Sequence, residues 1–222
     1  MRILITGDSW GCGEWLNKDG DYHVAHNGIE QYLQDDGHEV VNLSVGGNNN
    51  LQSLVCMEHD VDAQSFDRAI FFFTDPLRHS KYDDFVRVTP KRLVQEHIDY
   101  VLQKLDECKI PVTVIGGCAK VVVYNYVPKN LTIIPSMTEL IIKDFKDTEY
   151  MTSHEWENHW KKLGNSATSE MKEQIVDIAT KAGNKYKCWR QNPEYFWPDS
   201  LHANRKGIRI VYDHMLSLWN TD

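Results

Sequence analysis

The 222-residue sequence lacks most of the features that would assign a protein to a class at sight. It has no apolar run near the roughly 20 residues that a membrane-spanning helix needs. It shows no leader of charged and then apolar residues, so a cytoplasmic location is expected. It has no C-x-x-C pair, and its five cysteines stand singly at positions 12, 56, 108, 118 and 188. That excludes a zinc ribbon or thioredoxin-type site and reads the thiols as reduced, mostly buried small hydrophobes. Positive charge is scarce: 24 basic residues against 32 acidic ones leave a net charge of −8. Neither nucleic acid nor an anionic membrane surface is expected as the main partner. The run His154-Glu155-Trp156-Glu157-Asn158-His159 lacks the second histidine of HExxH, because position 158 is asparagine. It reads as a solvated helix face, and no metal is expected. There is no linker, repeat or low-complexity tract, so residues 1–222 are expected to form one domain.

What is present is an alternation of short β-branched runs with helix-spaced segments. Strands are expected at Ile3 to Ile5, Val40 to Leu43, Ala69 to Phe73, Pro111 to Ile115 and Leu131 to Ile134. Helices are expected around Ile29 to Leu33, Leu51 to Met57, Lys91 to Cys108, Met137 to Phe145, Glu170 to Lys181 and Arg205 to Trp219. The third strand has no polar alternation, as a strand covered on both faces requires. The pattern predicts an α/β fold, a three-layer α/β/α sandwich on a flavodoxin-like parallel sheet of about five strands. Ligands of such sheets bind beyond the carboxyl ends of the strands. That directs attention to Gly7-Asp8-Ser9, Ser44-Val45-Gly46-Gly47-Asn48, Thr74-Asp75-Pro76 and Gly116-Gly117-Cys118.

Gly7-Asp8-Ser9-Trp10-Gly11 also spells G-x-S-x-G, the nucleophile elbow of α/β-hydrolases. That elbow comes only after several strands, and here a single strand precedes Ser9, so the match is a coincidence of pattern. A serine in this place is either a turn and cap residue or a nucleophile. A nucleophile needs a base, and the base needs an acceptor to orient it. Asp199-Ser200-Leu201-His202, just before the last helix, offers both within one turn. Asp199 would fix the tautomer, and His202 would keep its other nitrogen for Ser9. Asp8 is expected to pin the turn, and Cys12 and Cys118 to serve packing.

An N-terminal GDS joined to a C-terminal DxxH resembles the SGNH, or GDSL-like, hydrolase superfamily over almost the whole chain. The resemblance implies Ser9 as nucleophile, His202 as base and Asp199 as orienting carboxylate. It further implies an oxyanion hole built from the amides of Ser9 and Gly47, the latter in Asn42-Leu43-Ser44-Val45-Gly46-Gly47. The third block departs from the family pattern. Asp75 stands where the family has an asparagine donor, and an ionised carboxylate cannot donate. Three outcomes are expected to be open: Asp75 is protonated, turns away to hold a loop or Arg78, or is replaced by a nearby amide such as Asn48.

The resemblance implies a serine esterase or a deacylase of a carbohydrate or other small ester, working through an acyl-enzyme with no cofactor. Two other readings stay open. One is a binding or structural protein on the same fold, with catalysis weakened at Asp75. The other is a flavodoxin-like module for a phosphorylated cofactor, against which Asp8 and the lack of a basic residue in Gly7 to Gly13 argue. Trp10 beside Ser9, and Trp197 in the cluster Trp189, Tyr195, Phe196 and Trp197, read equally as packing or as a platform for an acyl group or sugar.

Overall fold

Ile3, Leu4 and Ile5 are fully buried, which only a strand with neighbours on both edges and layers on both faces allows. The computed structural model describes residues 1–60, 65–76, 90–147, 169–197 and 202–220. Its strands are β1 (Arg2–Thr6), β2 (Glu14–Lys18), β3 (Asp21–His26), β4 (Glu39–Asn42), β5 (Arg68–Phe73), β6 (Val112–Gly116) and β7 (Leu131–Ile134). Its helices are α1 (Ser9–Cys12), α2 (Ile29–Asp35), α3 (Asn50–Val55), α4 (Pro90–Asp106), α5 (Met137–Ile141), α6 (Ser169–Gln191) and α7 (Arg205–Trp219). A π-helical turn, Cys56–Asp60, continues α3.

Five strands form one parallel sheet in the order β4-β1-β5-β6-β7. Successive side chains of a strand point to opposite faces, and the core divides accordingly. Ile3, Ile5, Ile70, Phe72 and Ile115 pack with Leu33, Met137, Trp189 and Tyr212 of α2, α5, α6 and α7. Leu4, Phe71, Phe73 and Val114 pack with Leu54, Ile98, Val101 and Leu105 of α3 and α4. The fold is therefore the expected α/β arrangement of a five-stranded parallel sheet between helical layers. From β1 the chain steps to β4 on one side and then to β5 on the other. The strand order thus reverses around β1, and the crevice beyond the carboxyl ends of β1 and β5 is the switch point at which such folds bind ligands.

Three elements depart from the sequence expectation. The region between Cys12 and Ile29, to which the sequence pattern assigns no element, holds the antiparallel hairpin β2–β3. Asp19 (φ 56°) and Gly20 (φ 88°) form its two-residue turn. Positive φ at both positions is the type I′ geometry that matches strand twist, and Asp-Gly is a favoured pair for it. Helix α6 runs on to Gln191 instead of stopping near Lys181. Gly183 weakens the local propensity by up to about 1 kcal/mol, but the buried Lys185, Cys188 and Trp189 beyond it hold the helix by packing. In the other direction, α5 ends at Ile141, short of the expected Phe145.

Candidate active site

Strand β1 ends at Thr6, and Gly7 turns the chain toward α1. No side chain fits at position 7, since a Cβ would lie 2.5 Å from Phe72 Cβ and 2.9 Å from the Phe72 carbonyl of β5. Asp8 is fully buried, and its Oδ1 accepts the Trp10 amide at 3.0 Å, capping α1. Ser9 is the first residue of that helix. Its backbone carbonyl accepts Trp15 Nε1 from the hairpin at 2.6 Å.

The second loop is fastened to the first. The Val45 amide donates to the Gly7 carbonyl at 3.1 Å, continuing the β1–β4 ladder beyond β4. Asn42 Nδ2 donates to the Gly11 carbonyl at 3.0 Å and to Glu30 Oε2 at 2.9 Å, and Asn42 Oδ1 accepts the Ser44 amide. Gly47 has φ +86°, and a Cβ there would meet nothing within 4 Å. Glycine is needed for that backbone angle and not for space. Asn48 follows, its amide donating to the Val45 carbonyl at 3.0 Å.

Asp75 lies beyond β5 and is 2% exposed. The residue before it is clamped. Asn50 Oδ1 accepts the Thr74 amide at 2.9 Å, and Asn50 Nδ2 donates to the Thr74 carbonyl at 3.1 Å. The same Nδ2 lies 3.2 Å from His97 Nε2 of α4, a contact that requires this nitrogen to be unprotonated. Burial pushes His97 down to about 4 from the ordinary 6.5. Between those values the unfolded chain takes up a proton that the folded one refuses, so stability falls as pH drops from 6.5 toward 4. The limiting slope for one group is about 1.4 kcal/mol per pH unit. A melting series from pH 7 to pH 4.5 should show His97→Gln, which keeps an acceptor, losing less stability on acidification than the wild type.

His202 comes from the far end of the chain. Phe196 and Ala203 form an antiparallel bridge, the Trp197 amide donates to the His202 carbonyl at 2.9 Å, and the Asn204 amide donates to the Tyr195 carbonyl at 2.8 Å. Asn204 then caps α7 by accepting the amides of Lys206 and Gly207. The half-buried His202 ring lies between Trp10, 5.2 Å away by centroids, and Trp15, 6.2 Å away. Its Nε2 stands 2.8 Å from Ser9 Oγ. That is hydrogen-bond contact between residues 193 positions apart. The expected partner Asp199 lies outside the described residues.

Trp10 is only 5% exposed. It packs on Trp189 at 5.4 Å, and Gly117 abuts it so closely that a Cβ there would sit 2.9 Å from Trp10 Cβ. It forms a wall behind His202. Trp197 donates Nε1 to Glu14 Oε1 at 3.0 Å. Trp15 and Glu14, both on the hairpin, carry no local signal in the sequence that marks them for the site. Cys12 donates to the carbonyls of Asp8 and Ser44, and burial with the Asp8 carboxylate pushes its thiol up to about 11. A thiol held so far from thiolate is a poor nucleophile. No group of three or more His, Cys, Asp or Glu that could hold a metal occurs among the described residues, and no helix there is long and apolar enough to cross a membrane. A groove lined by Arg68, Lys109, Lys129 and Thr132 lies at the amino ends of β5 to β7, at the opposite edge of the sheet from Ser9.

The molecule is thus a doubly wound α/β protein that brings a serine and a histidine together over its switch point. No protein-family model matches the sequence, and no curated relative does. Among solved structures it is similar to a lipase/acylhydrolase from Enterococcus faecalis, with 13% identity and TM-score 0.45 over 98% of this chain and 94% of that one. It is similar to an acetyl xylan esterase at 17% identity and TM-score 0.45, over 98% and 99% of the two chains. A psychrotrophic esterase from Pseudoalteromonas sp. aligns at 14% identity and TM-score 0.45, over 100% and 99%.

Proposed function

We propose that this chain is a serine ester hydrolase of the SGNH type. The observation that carries the reading is the 2.8 Å contact between Ser9 Oγ and His202 Nε2, at the edge of the sheet where such folds bind ligands. A base in that contact can take the hydroxyl proton as the oxygen attacks an ester carbonyl, then return it to the leaving alcohol. Water repeats the cycle on the acyl-enzyme, with His202 again as base. The amides of Ser9 and Gly47 are the donors for the tetrahedral oxyanion, and Asp199 is the carboxylate that orients His202 and supports its charged form. Asp75 shapes the loop after β5; as an ionised acceptor it would oppose the oxyanion. The substrates are small-molecule or carbohydrate esters.

The test is mass spectrometry after reaction with a fluorophosphonate, which traps an activated serine covalently. A single adduct on Ser9 is expected, lost in Ser9→Ala and strongly slowed in His202→Ala. Folded protein with no adduct, or with one on another residue, would favour the binding-protein reading instead.

A further inference from the structure

The hairpin β2–β3 is joined to both flanks of His202, and by a carboxylate that the chemistry above does not use. Glu14 follows α1 by two positions and is 4% exposed. Its two oxygens hold different partners. Oε1 accepts Trp197 Nε1 at 3.0 Å, and Oε2 accepts Arg205 Nε at 3.2 Å. Trp197 is the residue whose amide donates to the His202 carbonyl, and Arg205 opens α7 three positions after His202. Glu14 therefore grips the segment that carries the histidine on either side of it, while its own chain position is fixed by the helix that carries the serine.

The hairpin is irregular where this carboxylate enters the site. The pairing of β2 with β3 is irregular between Glu14 and Trp15. Glu14 pairs with His26 and Trp15 with Val24, so Ala25 of β3 is the extra residue of a bulge, which bends and twists the pair locally. Here both are directed to the site: Glu14 to Trp197 and Arg205, Trp15 to the Ser9 carbonyl and the His202 ring. Gly13 permits the junction with φ +118°.

We infer that Glu14 is a positioning residue for the Ser9–His202 pair, setting the distance across which the proton moves. This inference rests on the hydrolase reading. Reaction rates are sensitive to such distances, and a displacement of about 1 Å can cost about a hundredfold. Removing the carboxylate frees Trp197 and Arg205 together, whereas glutamine keeps an acceptor for Trp197.

The experiment combines fluorophosphonate titration with p-nitrophenyl acetate kinetics on wild type, Glu14→Ala, Glu14→Gln and Trp197→Phe. Glu14→Ala is expected to lower kcat per titrated site by about ten- to a hundredfold with KM within about twofold. Glu14→Gln should recover most of that loss. Trp197→Phe, which removes the Nε1 donor together with the five-membered ring and keeps an aromatic side chain there, should reproduce a large part of it and decides the matter if Glu14→Ala does not fold. A purely structural role would reduce the number of titratable sites and leave kcat per site unchanged, and that result overturns the inference. A wild-type protein that is not labelled at Ser9 overturns the hydrolase reading itself, so the two failures are distinguishable.

Discussion

Replacing Ser9 by alanine should abolish ester hydrolysis, lowering kcat by about four or more orders of magnitude, since nucleophile and base act as one unit. His202→Ala should cost nearly as much, and the double variant little more than either alone. Strong non-additivity is the diagnostic part. Two residues that contributed independently would multiply their losses, whereas groups joined by a 2.8 Å hydrogen bond lose one shared proton transfer. Neither substitution should unfold the protein. Ser9 and His202 are only partly buried, while the surrounding loops are held by Asp8, Asn42 and Asn204. The measurement is kcat and KM for p-nitrophenyl acetate together with the melting temperature. A Ser9→Ala protein that keeps even a tenth of the wild-type turnover would end the nucleophile assignment. In the active protein, kcat/KM should fall on the acid side in a single-proton step, because only neutral imidazole can accept the serine proton.

What the sequence revealed and what it hid follow from how local each signal was. Gly7-Asp8-Ser9 is legible because its requirements lie within a few residues: a strand end, a glycine pressed against Phe72, and a cap. The central strands are legible because a buried parallel strand must be apolar on both faces, as Ala69 to Phe73 are. Asn204 meets a local requirement too, since it caps α7 by accepting the amides of Lys206 and Gly207. The hairpin is hard to read although Asp19-Gly20 announces it, because its strands are largely intermediate or exposed and carry little apolar alternation. Glu14 could not have been found from sequence. Its partners stand 183 and 191 positions away, and nothing near Glu14 distinguishes it from a surface glutamate.

The same holds for the buried cation behind the aromatic wall, where the largest loss of stability is expected. The side chains of Lys185 and Asp147 are both fully buried, with Nζ 2.6 Å from Oδ1. The ammonium also donates to the Cys118 carbonyl at 2.6 Å and lies 5.6 Å from the Trp189 ring centroid. Asp147 accepts a further hydrogen bond from Ser136 Oγ, and its amide donates to Glu139 Oε1 at 2.8 Å. The cluster thus ties α6 to the loop after β6 and to the start of α5, directly behind the Trp189 and Trp10 rings. Lys185→Met keeps most of the volume and removes the charge. The buried Asp147 carboxylate loses its ammonium partner, and the Cys118 carbonyl loses the Lys185 donor. Breaking such a pair from one side costs about 3–5 kcal/mol, or on the order of 10 °C in melting temperature for a chain of this size. Removing both charges leaves no buried ion to solvate, so Lys185→Met combined with Asp147→Leu should be more stable than Lys185→Met alone. The thermal denaturation of wild type, both single variants and the double variant closes the cycle. If the double variant melts at the sum of the two single losses, the ammonium and carboxylate do not depend on each other, and the stability of this wall comes from the packing of Trp189 alone.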